Sequence, residues 1–379
     1  MPSTSPESLW SSPQPLTTPE ASVATPAIGV SRSGVVHLLY ARGPDIYHRL
    51  RAADDWSNPI RVAGGESPSL IVVGETVHAV YAKPFGGNYE VYYVKWQEDR
   101  WSLPRNLSFT SGPSTLPQIA SAPDGTLHAA WADTTPGYSV IYHAHQVGTY
   151  WVNRPIPSGR GSAPSLAVDD TGTVHVAWQD REGEAGPFEV YYVRGDGRNW
   201  SLPQNLSASP ESNSLAPQLA IALHGEVHVA WQEDHQGRSQ VYATHSTPGG
   251  WTVPAGLTPA GQSARQYRLA FTSQGVMHLA WLEGNQVCHR YIAPGGVLKP
   301  VEVLAQGPQG VSDPILALTP GTWDVHLLWL SIVSGGRVLM YAQRLPALRF
   351  RYFIPYVVVN QSAAAQNPST ARDRKPAAG

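Results

Sequence analysis

The sequence predicts an all-β chain folded as a seven-bladed β-propeller with four-stranded blades, the last blade closed by an outer strand from the N-terminus. Three observations predict it. One five-residue pattern recurs seven times, and the same turn and strand signals surround each copy. The one fourth-strand pattern missing from the last unit stands instead near the start of the chain.

The pattern is an aliphatic residue, His, two small or aliphatic residues and an aromatic. It is centred on His37, His78, His128, His175, His228, His278 and His326, at spacings of 41 to 53 residues. That period suits a blade of four short strands. The first strand of each unit begins at a proline, which has no N–H to donate and so fits a strand start: Pro26, Pro68, Pro117, Pro164, Pro217 and Pro314. A glycine turn follows, as at Gly34, Gly125 and Gly225. The second strand carries the His pattern. The third carries an aliphatic–Tyr pair: Ile46-Tyr47, Val91-Tyr92, Ile141-Tyr142, Val190-Tyr191 and Val241-Tyr242. The fourth opens with Trp, followed by Pro and then an aliphatic residue, as in Trp101-Pro104-Leu107, Trp200-Pro203-Leu206 and Trp251-Pro254-Leu257. In the sixth unit Val297 stands where the Trp is expected.

The seventh unit ends without its Trp strand, and the unassigned copy is Trp10-Ser-Ser-Pro13 with Leu16 at the usual offset. A propeller sheet closes to remove its edges, so residues 10–17 are predicted to be the closing strand of the last blade. The alternative is that residues 348–359 supply it. The propeller then runs from 10 to 345, with a disordered N-terminus over 1–9, a C-terminal extension over 346–360 and a disordered tail over 361–379. That tail is rich in Ala, Pro and Ser and too polar to order itself.

Composition excludes several functions. The formal net charge is −2 and no basic face precedes the tail, which argues against nucleic acid as a partner. The single cysteine, Cys288, allows neither an intrachain disulfide nor a Cys-based zinc site. No apolar run approaches the roughly 20 residues of a membrane-spanning helix. Residues 1–9 show no secretory signal, and no motif implies a cofactor. The chain is expected to be a monomer.

Seven histidines in one register invite a metal, but equivalent positions in seven blades form a ring too wide to share an ion at about 2 Å. The expectation is a buried imidazole per blade, bonded to the backbone of the next strand, with the repeated Trp and Tyr packed between blades. Function should then sit where blades differ. Strand polarity puts the loops between strands two and three, and between blades, on one face with the channel mouth. The ends of the second strands place Arg42, Lys83, Asp133, Asp180, Glu233 and Glu283 there. Interblade loops add Glu66, Arg160, Glu211 and Asp313, and blade six replaces the usual proline with Arg265-Gln-Tyr267-Arg268. Such a ring suits the grip of a sugar or a carboxylate, and equally suits a solvated rim.

The turn Arg194-Gly-Asp196-Gly197-Arg-Asn-Trp200 resembles the Asp-box (BNR) repeat of the sialidase superfamily, S-x-D-x-G-x-x-W, in its Asp196, Gly197 and Trp200. The blade pattern as a whole is similar to bacterial BNR-type propellers across residues 10–345. That resemblance implies a propeller in which the Asp organises its own turn and is not catalytic. It also implies an extracellular or cell-envelope location, the missing signal leaving the cytoplasm as the alternative. Catalytic sialidases have six blades, whereas seven landmarks are present here, and the family's F-R-I-P segment has no match. No catalytic residue is therefore assigned. Three readings stay open: a non-catalytic recognition propeller for a glycan or surface protein, a sialidase-like exo-glycoside hydrolase with a diverged site, and a protein-interaction scaffold.

Overall fold

The computed structural model describes residues 10–344 apart from 182, 184, 185, 223 and 224. The expectations for 1–9, 346–360 and 361–379 lie outside the described residues. So does the alternative closing strand at 348–359.

Seven antiparallel sheets follow one another, each with strands in the order first, second, third, fourth. The first strands are Val23–Val30, Glu66–Val73, Ser114–Ser121, Ser162–Val168, Asn213–Ile221, Ala264–Phe271 and Val311–Leu318. Each touches the next, and the last touches Val23–Val30, so they form a closed inner ring. Six blades take all four strands from one stretch of chain. The seventh takes three, and its outer position is filled by Gln14–Pro15, paired with Tyr341 and Met340. Around that pair, Ser11 N–H donates to Gln343 O at 2.8 Å and Leu16 N–H to Leu339 O at 2.7 Å. The Trp10 indole N–H donates to Glu302 of blade six at 3.0 Å. Burial pushes the Glu302 carboxyl up. Hydrogen bonds from His289 and Trp10 and the charge of Arg344 outweigh it and hold the group at about 2.

Each first strand carries a bulge at the same place, where its pairing with the second strand slips. One residue there adopts a left-handed conformation although it is not glycine: Thr25, Ser67, Leu116, Ala163, Ala216, Gln266 and Asp313. A residue left out of the ladder has a free N–H. In three blades a side-chain oxygen of the preceding blade takes it up: Gln179 for Ala216 at 2.7 Å, Gln232 for Gln266 at 3.4 Å and Gln266 for Asp313 at 3.0 Å.

The second strands are the most buried, because both of their faces meet neighbouring blades. Trp131, Trp178, Trp231, Trp281 and Trp329 are each at most 1% exposed. The repeated histidines correct one expectation. In six of the seven blades their bond runs to a ring on the third strand of the same blade rather than to backbone. His37 meets His48 at 3.1 Å, His78 meets Tyr93 at 2.8 Å, and His128 meets His143 at 3.1 Å. His175 meets Tyr192 at 2.7 Å, His278 meets His289 at 3.1 Å, and His326 meets Tyr341 at 2.8 Å. The third-strand residue is directly across the sheet from the position two after each His, so both rings point into the same blade interface.

A Trp from the next blade's fourth strand then packs on that third-strand ring, edge-on in five cases and tilted at 53° for Trp151 on Tyr93. Trp101 reaches His48 at 5.2 Å, Trp151 reaches Tyr93 at 5.3 Å and Trp200 reaches His143 at 5.1 Å. Trp251 reaches Tyr192 at 4.8 Å, Trp10 reaches His289 at 5.0 Å and Trp56 reaches Tyr341 at 5.2 Å. Edge-to-face contacts of this kind add about 0.5–1.5 kcal/mol beyond burial. The same trio therefore seals six of the seven interfaces, with the N-terminal Trp10 sealing the one between blades six and seven.

The interface between blades five and six differs at both positions. Ala243 stands where the third-strand ring would be, opposite Ala230. Pairing of Ile292 with Leu298 puts Leu298, not Val297, in the Trp register. Counting from the sequence was off by one because the preceding turn, Pro294-Gly295-Gly296, is longer.

Candidate functional site

The registers place the second-strand ends and the starts of the first strands at one end of the sheets. Ser114 pairs with Asp133, Val140 with Arg160, and Ala264 with Glu283. The predicted site residues thus share the loop face, but they do not converge. Each is held within its own blade or with an immediate neighbour.

Arg42 donates to Glu20 at 2.6 Å, with its guanidinium over the Tyr47 ring. Lys83 lies over Tyr92. Asp133 was expected at the rim for ligand contact, yet it is fully buried. It accepts from Thr110 Oγ1 and Ser114 Oγ, both at 2.7 Å, and from Thr135 N–H at 2.8 Å. Its capacity is spent on pinning the interblade loop. Arg160 and Asp180 do meet, lining a 330 Å³ recess with Tyr138 and Gln179. Burial raises the Asp180 carboxyl above its usual range, opposed by a backbone hydrogen bond and by the Arg160 charge.

The blade-six cluster also needs correction. Tyr267 is 1% exposed, and its hydroxyl donates to Ala216 O at 2.9 Å. Without the usual proline, the strand uses a phenol to tie blade six to blade five, so Tyr267 offers nothing to a ligand. Burial pushes that phenol well above its ordinary value. Arg268 turns inward and donates to Tyr267 O at 2.8 Å. Its burial lowers the guanidinium, with Tyr267 and Asp313 opposing. Arg265 is exposed and reaches Gly284 O at 3.2 Å, and Glu283 accepts weakly from Trp281 Nε1 at 3.5 Å.

Asp196 organises its own turn. It accepts from Arg198 N–H at 2.8 Å and Asn199 N–H at 2.6 Å, and these bonds hold its carboxyl down at about 2. Gly197, at φ 84°, lies against His143, so a Cβ there would come within 3.0 Å of the imidazole. Trp200 is the edge-on partner already described. All three are structural.

Glu233 is the predicted residue that stands in a substantial cavity. Its Oε2 accepts from Trp231 Nε1 and Ser214 Oγ, both at 2.8 Å, which fixes the carboxylate. Around it, the second-to-third strand hairpin of blade five and two interblade loops enclose about 770 Å³. His235, Arg238, Gln240 and Tyr242 line this space with Trp231 and Glu233. Arg238 is exposed, and among the described residues no ion pair is recorded for it. The sequence reading stopped at Glu233 and missed its neighbours. The signal was the hairpin Asp234-His-Gln-Gly-Arg238, the one such hairpin that places a His and an Arg just beyond a rim acid.

Together, the fold and this site define a seven-bladed propeller with a polar, partly aromatic cavity on its loop face. Its fold is shared with several carbohydrate-active proteins. A polysaccharide lyase, an ulvan lyase bound to a GlcA(1-4)Rha3S unit, aligns over 85% of this chain and 96% of its own, at 12% identity and TM-score 0.61. The α-L-arabinofuranosidase of Fusarium graminearum, in complex with an iminosugar inhibitor, aligns over 71% and 89%, at 12% identity and TM-score 0.51. A second polysaccharide lyase aligns over 86% and 90%, at 12% identity and TM-score 0.55. At these identities the likeness is one of fold. The sequence matches no protein-family model and no curated protein.

Proposed function

We propose that this chain is a recognition propeller that binds an acidic oligosaccharide in the blade-five cavity of the loop face. The observation that carries the reading is the lining itself: one carboxylate, one unpaired guanidinium, an imidazole, three amides and the part-exposed Tyr242 ring around about 770 Å³. Sugars are held by planar polar groups that hydrogen-bond hydroxyls and by aromatic faces that cover C–H surfaces. Arg238 is the group suited to a sugar carboxylate or sulfate, since a guanidinium binds such anions through two parallel hydrogen bonds. Glu233 is pre-oriented by Trp231 and Ser214 to accept from hydroxyls.

A second reading is eliminative or hydrolytic cleavage of the same ligand, favoured by the lyase and the arabinofuranosidase that share the fold. Paired-carboxylate hydrolysis needs two acids facing one bond. Glu233 is the acid lining this cavity among the described residues, which favours binding over hydrolysis. The test is a glycan array that includes uronate-containing and sulfated oligosaccharides, followed by incubation of each hit with the protein. Binding that Arg238→Ala weakens about tenfold, with intact oligosaccharide recovered, supports recognition. Release of shorter products moves the assignment to the second reading. Binding untouched by Arg238→Ala places the site elsewhere.

A further inference from the structure

The interface between blades five and six contains a second cavity, of about 730 Å³, on the face opposite the loops. Its walls are the turn between the first two strands of blade six, at Gln274 and Gly275, and the turn Pro294-Gly295-Gly296. Leu257, Phe271, Met277 and Ile292 form its apolar lining, with Ala243 and Leu298 at the two positions where the trio is broken. In the six other interfaces an indole of this chain fills the corresponding place. Here the ring donor is an alanine, and the replacement for the Trp is a leucine left 44% exposed. Phe271 comes within 4.5 Å of the His228 ring but does not restore the trio.

The polar end of the cavity is also particular to this blade. Glu226 bridges two imidazoles, His228 Nε2 at 3.2 Å and His245 Nε2 at 3.3 Å. Its carboxylate is about two-fifths exposed, and no lysine or arginine lines the cavity. The cavity therefore ends at a negative group.

We propose that this interface binds a small aromatic amine, its fused ring taking the place of the missing tryptophan and its ammonium facing Glu226. The chain itself supplies the template, because six copies of the same interface accept an indole against the third-strand ring of the preceding blade, five of them edge-on. The charge of the lining selects a cation over an anion. The site lies at the opposite end of blade five from the oligosaccharide cavity and stands or falls without it.

The test uses the purified full chain titrated calorimetrically with tryptamine, indole and indole-3-acetate. Tryptamine should bind most tightly, indole about tenfold more weakly and indole-3-acetate weakest. Leu298→Trp should fill the slot, keep or raise the melting temperature and abolish tryptamine binding. Ala243→His, which rebuilds the third-strand ring, is the independent block if Leu298→Trp does not fold. Glu226→Gln should remove the preference for tryptamine over indole while leaving indole binding in place. Failure of tryptamine to bind the unaltered chain overturns the proposal. So does tryptamine affinity unchanged by both Leu298→Trp and Ala243→His, or a preference for indole-3-acetate.

Discussion

Six interfaces of this propeller are filled by the same three side chains and the seventh is left open, and the contrast separates what the ring needs from what it can spare. The filled interfaces stack a second-strand His on a third-strand His or Tyr and cover the pair with Trp. The open one keeps His228 but has Ala243 and Leu298 in place of the other two. Its neighbours still close around it: Val241, Leu279, Trp281 and Cys288 remain buried in one cluster. The buried core between the second strands thus suffices to hold two blades together. The outer trio is an added seal, one that a single interface gives up in exchange for a cavity.

Acid should test that contrast most severely. Burial lowers the imidazoles of His37, His78, His128 and His326 to about 4, against 6.5 in the unfolded chain. Between those values the unfolded state binds more protons, so stability is complete above about pH 6.5 and falls as pH drops towards 4. By pH 5 each such group costs roughly 2 kcal/mol, and together they exceed any single substitution. Chemical denaturation at pH 7 and pH 5 should show this loss. A stability that is flat over that range would mean the filled interfaces tolerate charged imidazoles.

Trp10→Ala comes next. Removing a packed indole costs about 3–5 kcal/mol, and this one also takes one of the hydrogen bonds from Glu302, leaving it His289. Leu298→Ala at the open interface should cost no more than about 0.5 kcal/mol, as for an exposed side chain. Urea melts of the two variants side by side measure the difference directly. Equal losses would remove the distinction between a sealed and an open groove.

Asp133→Ala should follow, at about 1–3 kcal/mol, because Thr110, the buried Ser114 and the Thr135 N–H lose the carboxylate that ties them together. Arg238→Ala on the loop face should leave stability within about 0.5 kcal/mol. Tyr93→Phe falls between these two, at about 1 kcal/mol or less for one hydrogen bond to His78. Thermal denaturation with matched buffers resolves all three.

Much of the scaffold was legible because it is periodic. Trp, Pro and His recur at fixed offsets, so their registers could be read without any knowledge of neighbours. Trp10 paired with nothing local and could be assigned only by the gap it would fill. The site was harder to read for the opposite reason. Asp133, Asp180 and Glu233 occupy one register, and nothing in their identity tells a buried loop anchor from a cavity acid. Thr110 and Ser114 decide it for Asp133, and Trp231 and Arg238 decide it for Glu233. The role of Tyr267 was hidden because a phenol had replaced a proline, and only the carbonyl of Ala216, 51 residues earlier in sequence, accounts for it. The open interface was half visible as a missing Trp. Ala243 looked like an ordinary small strand residue until its register placed it opposite Ala230.

The strand around Trp10 is made before any of its partners. Glu302, His289 and Tyr341 are translated roughly 300 residues later, which at about 5–20 residues per second is a delay of tens of seconds. During that interval Leu16 can already pack on Val23, Leu38 and Tyr40 of blade one, while Trp10 still lacks His289 and Trp56 still lacks Tyr341. The last blade is therefore complete only when the Trp10 segment pairs with a strand made roughly 300 residues after it, a long-range contact of the kind that slows folding.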